Sequence, residues 1–223
     1  MKTRGSILFS AFLAIVLLSC APSRFVKPLA KGQRAVSASF GGPTILFSGA
    51  VIPMPFTTIC YAQGLSNQST AFASLHITSG LFGNIQSDLG ATFRLFEREK
   101  VFGVSVSPAL QLAYSIGNQT GLRVWPSLDA NVYLHPFKTE SYAYLGANSW
   151  FELSRYKAHG EVQQLHSLPS IQLGYVFVRK LWQHQVEAKY LGMGLPNLPN
   201  VVSYVGAGGK GSFGIYYTII RLF

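Results

Sequence analysis

The sequence predicts an all-β chain that closes into a transmembrane barrel of about ten antiparallel strands. Apolar and polar residues alternate with a period of two over long stretches, which is the pattern of β-strands. After residue 33 no stretch shows the 3.6-residue period of an amphipathic helix. The connectors at the end of the predicted barrel that carries the termini are also all short, whereas the three longest connectors lie at the opposite end.

The middle of the chain shows the alternation best. Leu89, Ala91, Phe93 and Leu95 alternate with Gln86, Asp88, Thr92 and Arg94. Strands of water-soluble sheets are usually about five or six residues long, whereas a strand that crosses a bilayer needs about 9 to 11 tilted residues. The length of the alternating stretches therefore favours a membrane barrel with apolar side chains toward lipid and polar ones toward the lumen.

Ten segments qualify as strands, and an even number lets a single chain close with both termini on one side. They are 33–41, 56–63, 70–79, 85–96, 101–116, 122–135, 141–154, 166–178, 182–190 and 212–223. Connectors on the side of the termini are short (64–69, 97–100, 136–140 and 179–181), and the three longest lie opposite (42–55, 155–165 and 191–211). Short inner turns and long outer loops place the termini in the periplasm. The apolar connector 43–55 is open to three interpretations: a loop, a hairpin or an interfacial flap.

Residues 1–19 have the order of an export signal. Lys2 and Arg4 precede an apolar run over 7–18, which is too short to span a bilayer as a helix, and a small residue precedes Cys20. Leu17-Leu18-Ser19-Cys20 resembles the lipobox of bacterial lipoproteins, and the resemblance implies a diacylglyceryl group on Cys20; the alternative is an ordinary secretory signal. Residues 20–32 contain two prolines and three basic residues, a composition that predicts a solvated, lipidated tether. Residues 33–223 are predicted to form the barrel domain.

Composition restricts the partners. The formal charge of +10 falls by two when Lys2 and Arg4 are removed. An exported protein does not meet nucleic acid, so the excess charge either faces membrane lipid phosphates or is a generally basic surface. The sequence predicts no cofactor. Cys60 has no partner once Cys20 is acylated, and it is expected to be a small buried hydrophobe.

The last strand ends on an aromatic residue: Phe213, Ile215, Tyr217 and Ile219 alternate up to Phe223. This resembles the C-terminal signal read by the outer-membrane assembly machinery, which is therefore an expected partner, although Arg221 stands where that pattern has an apolar residue. Together with the lipobox, the pattern is similar to that of the small outer-membrane β-barrel lipoproteins of Gram-negative bacteria. That resemblance implies a lipid-anchored barrel in the outer membrane, with no assigned activity.

Charged residues on the polar faces of the strands form the candidate site. The expected lumen charge network comprises Asp88, Arg94, Arg123, Asp129, Glu152, Glu187 and Lys189. Opposite charges on facing walls should pair, because a lumen of this width leaves little water to solvate them singly. Tyr142, Tyr144 and Trp150 stand at the same alternate positions of their strand as the polar residues, so they share this face and are expected to fill the lumen. A structural role is favoured over conduction or substrate binding.

The histidines do not form a predicted metal or catalytic site. His159 and Glu161 lie in a long loop with His166 and Ser167 just beyond, but their spacing matches no strong metal or hydrolase signature. His76, His135 and His184 are scattered, and nothing in the sequence connects them. No catalytic residue and no metal ligand is predicted.

Two other functions are compatible with parts of the sequence. Gly194-Leu195-Pro196-Asn197 resembles the end of a motif in outer-membrane lipid A deacylases, but Lys189-Tyr190-Leu191-Gly192 stands where the His-x-Ser nucleophile should precede it. The first alternative is therefore a lipid A-modifying enzyme. The second is a tethered soluble β-sandwich or lipocalin-like binder of apolar ligands. The favoured interpretation is a lipid-anchored outer-membrane barrel with a structural or binding role.

Overall fold

The computed structural model describes residues 24–98, 101–116, 121–137, 139–156, 162–197 and 203–223. The elements are β1 (Arg34–Phe47), β2 (Ala50–Pro53), β3 (Thr57–Ser66), β4 (Ser69–His76), α1 (Ile77–Leu81), β5 (Asn84–Arg98), β6 (Phe102–Ser115), β7 (Leu122–Leu134), β8 (Tyr142–Phe151), β9 (Ser167–Arg179), β10 (Trp182–Pro196) and β11 (Lys210–Leu222). Residues 1–23, which include the predicted signal and Cys20, lie outside the described part, as do His159 and Glu161.

Ten of these strands form a closed antiparallel barrel. Consecutive strands are hydrogen-bonded from β3 to β11, β1 pairs with β3, and β11 pairs back with β1 from Ala35↔Leu222 to Pro43↔Gly214. The predicted fold class is therefore confirmed, and the strand number is ten. Closure leaves no unpaired sheet edge in the ring, which is a condition for a β-structure inside hydrocarbon.

Both barrel termini and the short connectors lie at one end, which we call the turn end. Arg34 and Leu222 lie there, together with the connectors between β3 and β4, β5 and β6, β7 and β8, and β9 and β10. The opposite end, the loop end, carries α1, the connector between β6 and β7, and the two longest connectors, which follow β8 and β10. No helix among the described residues is long and apolar enough to cross a membrane.

Several predicted boundaries differ from the structure at the loop end. The strand predicted over 182–190 continues to Pro196, and the last strand begins at Lys210 rather than at 212. Residues 77–79, predicted as strand, belong to the short helix α1. The apolar connector 42–55 is a hairpin, in which the end of β1 pairs with β2 through a two-residue turn. Ser48 and Gly49 in that turn both have positive φ (49° and 84°), as in the turns whose twist suits a β-hairpin. Residues 203–205 hydrogen-bond along the same hairpin.

The two faces of the wall are sorted as the alternation predicts. Large apolar side chains point outward and are exposed, among them Phe93 at 42%, Leu128 at 44% and Leu173 at 60%. Buried polar side chains point inward along every strand of the ring; Thr70, Gln111 and Gln172 are examples. A water-soluble sandwich or lipocalin would have apolar side chains inside and polar ones outside. The alternative of a tethered soluble β-domain is therefore wrong.

Aromatic side chains fill much of the lumen. Tyr142, Tyr144 and Trp150 are buried, as their parity predicts. Tyr144 lies across Gly174 of the neighbouring strand, and a Cβ at Gly174 would come within 2.4 Å of the Tyr144 ring. The absence of a side chain at Gly174 therefore lets the ring lie flat against the wall and occupy the space beside it.

Candidate functional site

The lumen holds the N-terminal part of the described chain. Residues 24–33, here named the N-terminal plug, run from β1 back into the barrel, and Arg24, Phe25, Val26 and Leu29 are buried. The expectation of a solvated tether over 20–32 therefore differs from the structure for its described part. Side chains just fill a barrel of about eight strands, so a ring of ten leaves extra room, and the plug occupies it.

The plug has apolar contacts with opposite walls of the lumen. Phe25 and Leu29 pack in a cluster with Ala35, Cys60, Ala62, Phe72, Ile220 and Leu222 of β1, β3, β4 and β11. Val26 packs in a second cluster with Tyr133, Tyr142, Tyr144 and Val176 of β7, β8 and β9. Full burial of an apolar side chain of this size contributes about 1.5–3 kcal/mol. The plug therefore supplies a core that connects the two sides of the barrel.

Inward hydroxyl groups of the wall satisfy the irregular backbone of the plug. Thr92 Oγ1 donates to the carbonyl of Phe25 at 2.9 Å, and Ser105 Oγ donates to the carbonyl of Val26 at 2.5 Å. The amide of Leu29 donates to Thr70 Oγ1 at 2.7 Å. Buried backbone groups without partners are destabilising, so these three hydroxyls make a buried, non-helical segment tolerable at this position.

Two ion pairs hold the basic residues of the plug. The Arg24 guanidinium bonds the buried Asp88 carboxylate, which also accepts from Ser74 Oγ at 2.8 Å and lies 3.0 Å from His76 Nε2. Lys27 Nζ lies 3.0 Å from Glu97 Oε1. A buried carboxylate is stable only when it is paired and hydrogen-bonded, so Asp88 and the plug stabilise each other.

The connection of β3 to the plug requires a glycine. The amide of Gly32 donates to the Gly64 carbonyl at 2.9 Å, and the Gly64 amide donates to Gln33 at 2.8 Å. A Cβ built at Gly64 would lie 2.0 Å from the backbone oxygen of Ala30. Only glycine allows the plug backbone to approach the wall this closely.

A second polar group occupies the side of the lumen formed by β7 to β10. Tyr144 donates to Glu187 at 2.6 Å, and Lys189 Nζ lies 3.4 Å from the other Glu187 oxygen. Gln172 donates to Asp129 at 3.1 Å. These hydrogen bonds connect strands that are two apart in the sheet, β8 with β10 and β7 with β9, and the ion pair lies within β10.

The seven residues of the expected charge network divide among several local groups. Asp88 pairs with the plug, Arg94 pairs with Glu97 on the same strand, and Glu187 pairs with Lys189. Arg123 and Asp129 both point inward, but they stand six residues apart on β7 and are separated by about 20 Å, too far to pair with each other. Trp125 Nε1 donates to Glu152 at 2.7 Å.

Two titratable groups just beyond the strands show shifted pKa values. Burial and the nearby Lys27 ammonium lower the pKa of His135. Burial raises the pKa of Glu152, but hydrogen bonds from Trp125 and Ser154 outweigh it and leave that pKa below its usual range. At neutral pH His135 therefore adds no second positive charge next to Lys27, and Glu152 stays a carboxylate.

Sequence reasoning missed the residues that connect the plug to the wall. His76, which no spacing connected to other residues, lies against Asp88 and Arg24. His184 contacts the hydroxyl of Tyr217, and His166 contacts the carbonyl of Glu152. Cys60 is free and buried, as predicted. Within the described ranges no group of three or more His, Cys, Asp or Glu residues is placed to hold a metal ion.

The closed ring, the outward apolar belt and the polar lumen define a transmembrane β-barrel with the fold of outer-membrane proteins. An outer-membrane channel from Pseudomonas putida F1 is similar over 91% of this chain and 100% of its own, with 10% identity and a TM-score of 0.50. The translocator domain of autotransporter NalP from Neisseria meningitidis is similar over 98% of each chain, with 12% identity and a TM-score of 0.46. No family model and no curated protein matches the sequence.

Proposed function

We propose that this chain is an outer-membrane β-barrel, anchored by a lipid on Cys20 and sealed by its own N-terminal plug, with a structural or binding role rather than a catalytic one. The observation that carries the proposal is the buried plug. Its apolar side chains contact both walls, and its backbone and basic groups bond Thr70, Thr92, Ser105, Asp88 and Glu97.

The plug supports a sealed barrel because it occupies the pathway that an ion would take. Val26 contacts Tyr133 and Tyr144 on one side, and Phe25 reaches Phe72 on the other. Water would have to replace these apolar contacts and separate the Arg24–Asp88 pair before a continuous aqueous path could form. The lumen carboxylates are engaged in these internal contacts, which favours a structural role for them.

Conductance in planar bilayers tests the seal. The full chain is expected to give no steady ion current, whereas a variant lacking residues 24–30 is expected to conduct. Deletion removes the apolar bridge and leaves the wall strands intact, because β1 begins at Arg34. Steady conductance of the unmodified barrel, at the level of the deletion variant, would contradict the proposal.

Three further measurements test the remaining parts of the proposal. Mass spectrometry of the N-terminal peptide is expected to find a diacylglyceryl group on Cys20, absent from Cys20→Ser. Lipid A from cells with and without the protein is expected to have the same mass. A change in lipid A acylation would instead favour the enzyme alternative. The outer-membrane assembly machinery is the expected partner for insertion, and depletion of it should leave the barrel unfolded.

A further inference from the structure

Positive charge is concentrated at the turn end of the barrel. Lys31, Arg34, Arg98, Arg179 and Lys180 are exposed there, and Arg221 is half-buried. In the described part of the chain, Glu140 is the one exposed acidic residue at this end, since Glu97 turns inward to Lys27. The exposed basic residues described at the loop end are Arg155 and Lys210. The charge is therefore asymmetric along the barrel axis.

Part of this charge forms a contiguous patch on the outer face of β9, β10, β11 and β1. Trp182 is the register partner of both Arg179 and Arg221, so the three stand side by side on adjacent strands. Arg34 follows on β1, where its backbone exchanges hydrogen bonds with Phe223. The parity of these positions matches that of the exposed Phe177, Tyr217 and Val36, so their side chains leave the wall on the lipid side.

The patch combines guanidinium groups with aromatic rings. Arg221 Cζ lies 4.8 Å from the centroid of the Trp182 ring and 5.8 Å from that of Phe223. Strands are spaced about 4.8 Å apart, so the backbones of Arg179 and Arg221 lie about 10 Å apart, on either side of Trp182. The place of Arg221 in the last strand, where an apolar residue is usual, is explained by this arrangement.

These features match the chemistry of an anionic lipid headgroup. Tryptophan is enriched at the membrane–water interface, and arginine extends its charged group to that level. A guanidinium binds phosphate through two parallel hydrogen bonds, which an ammonium group cannot do. The contact with the Trp182 ring restrains the Arg221 guanidinium at this level. The exposed apolar Phe177 and Leu181 nearby offer a surface for an acyl chain.

We propose that Arg179, Arg221 and Trp182, with Arg34 beside them, form a binding site for the phosphate of an anionic glycerophospholipid in the leaflet at the turn end. The site rests on the proposed membrane location and adds a specific lipid to it. A phosphate between the two guanidiniums accepts hydrogen bonds from both, and its acyl chains lie along the outward face of β9 and β10. Zwitterionic lipids carry a compensating ammonium group and bind more weakly.

Native mass spectrometry of the full chain in detergent tests the site. The protein is mixed separately with phosphatidylglycerol, cardiolipin, phosphatidylethanolamine and diphosphoryl lipid A. Retention of phosphatidylglycerol and cardiolipin is expected to exceed that of phosphatidylethanolamine by about tenfold. The double variant Arg179→Gln/Arg221→Gln should lose this preference. Arg155→Gln/Lys210→Gln, which removes the same charge at the loop end, should keep it.

One further double variant separates the effect of the guanidinium geometry from that of the positive charge. Arg179→Lys/Arg221→Lys keeps both charges but loses the bidentate geometry, and we expect it to retain the anionic lipids more weakly than the unmodified protein. Equal retention of anionic and zwitterionic lipids, equal loss in the two Gln variants, or stronger retention of lipid A would overturn the proposal. Heat-modifiable gel migration, measured on the same samples, shows separately whether the barrel itself is folded.

Discussion

At the scale of single residues, the lumen is organised by groups that need partners. Asp88 is buried on β5, and its main countercharge comes from Arg24 of the plug rather than from a facing strand. Thr70, Thr92 and Ser105 stand on the polar face as ordinary inward residues, yet each hydrogen-bonds the plug backbone. The polar face of the wall is therefore complementary to one specific segment, and the Arg24–Asp88 pair can be tested directly.

Replacement of Arg24 by alanine is expected to lower the free energy of unfolding by about 3–5 kcal/mol, since it leaves the buried Asp88 carboxylate without its countercharge. Asp88→Asn in the same chain should recover most of this loss, because a neutral amide needs no countercharge. Urea unfolding in detergent, followed by tryptophan fluorescence, measures both. The exposed Arg155→Ala serves as the control and should change stability little. A loss below about 1 kcal/mol in Arg24→Ala would mean that the pair behaves like a surface salt bridge.

At the scale of elements, alternation predicts the strands but not the plug. A strand with one face in lipid and one in the lumen must alternate apolar and polar residues. The strands β5, β6 and β7 can therefore be recognised in the sequence. The plug has no period, and its proline and its basic residues resemble those of a solvated linker. Phe25, Val26 and Leu29 are its only apolar signal, and the wall hydroxyls that bond it look like any lumen residue. The predicted charge network failed to include Arg24 for the same reason.

Displacement of the plug should be measurable through Cys60. With Cys20→Ser as the background, Cys60 is the only cysteine, and its thiol packs in the lumen with Phe25 and Leu29. Gly64→Ala places a methyl group against the Ala30 carbonyl and should release the plug. Labelling of Cys60 by a small polar methanethiosulfonate is expected to accelerate about tenfold, the ratio that corresponds to 1.4 kcal/mol of lost plug binding.

Gly80→Ala is the matched control for this measurement, because a Cβ at Gly80 meets no atom within 4 Å. Its labelling rate should equal that of the background. If Gly64→Ala also left the rate unchanged while the barrel stayed folded, the plug would not be what shields Cys60. If the background itself labelled at the rate of a free thiol, the lumen would already be open.

At the scale of the whole molecule, the docked plug shortens the reach of any lipid on Cys20. Residues 20–32 as a free tether would span at most about 40 Å, but Arg24 is fixed inside the lumen. Three residues then separate it from Cys20, which is four Cα–Cα steps or about 14 Å at full extension. Asp88, which holds Arg24, lies four residues from the loop end of β5 and ten from its turn end. A lipid on Cys20 of a plugged barrel would therefore be held near the loop-end rim.

Leu173→Arg tests whether the outward belt faces hydrocarbon. Leu173 lies at the centre of β9 and is 60% exposed. In a water-soluble protein, arginine at such a position would change stability by about 0.5 kcal/mol or less. At the midplane of a bilayer it costs about 2–4 kcal/mol, because the guanidinium must be taken out of water. Leu153→Arg, at an exposed position beyond the end of β8, is the control and should be tolerated. Folding into phospholipid vesicles, followed by heat-modifiable gel migration, measures both; equal tolerance of the two substitutions would contradict a membrane-embedded wall.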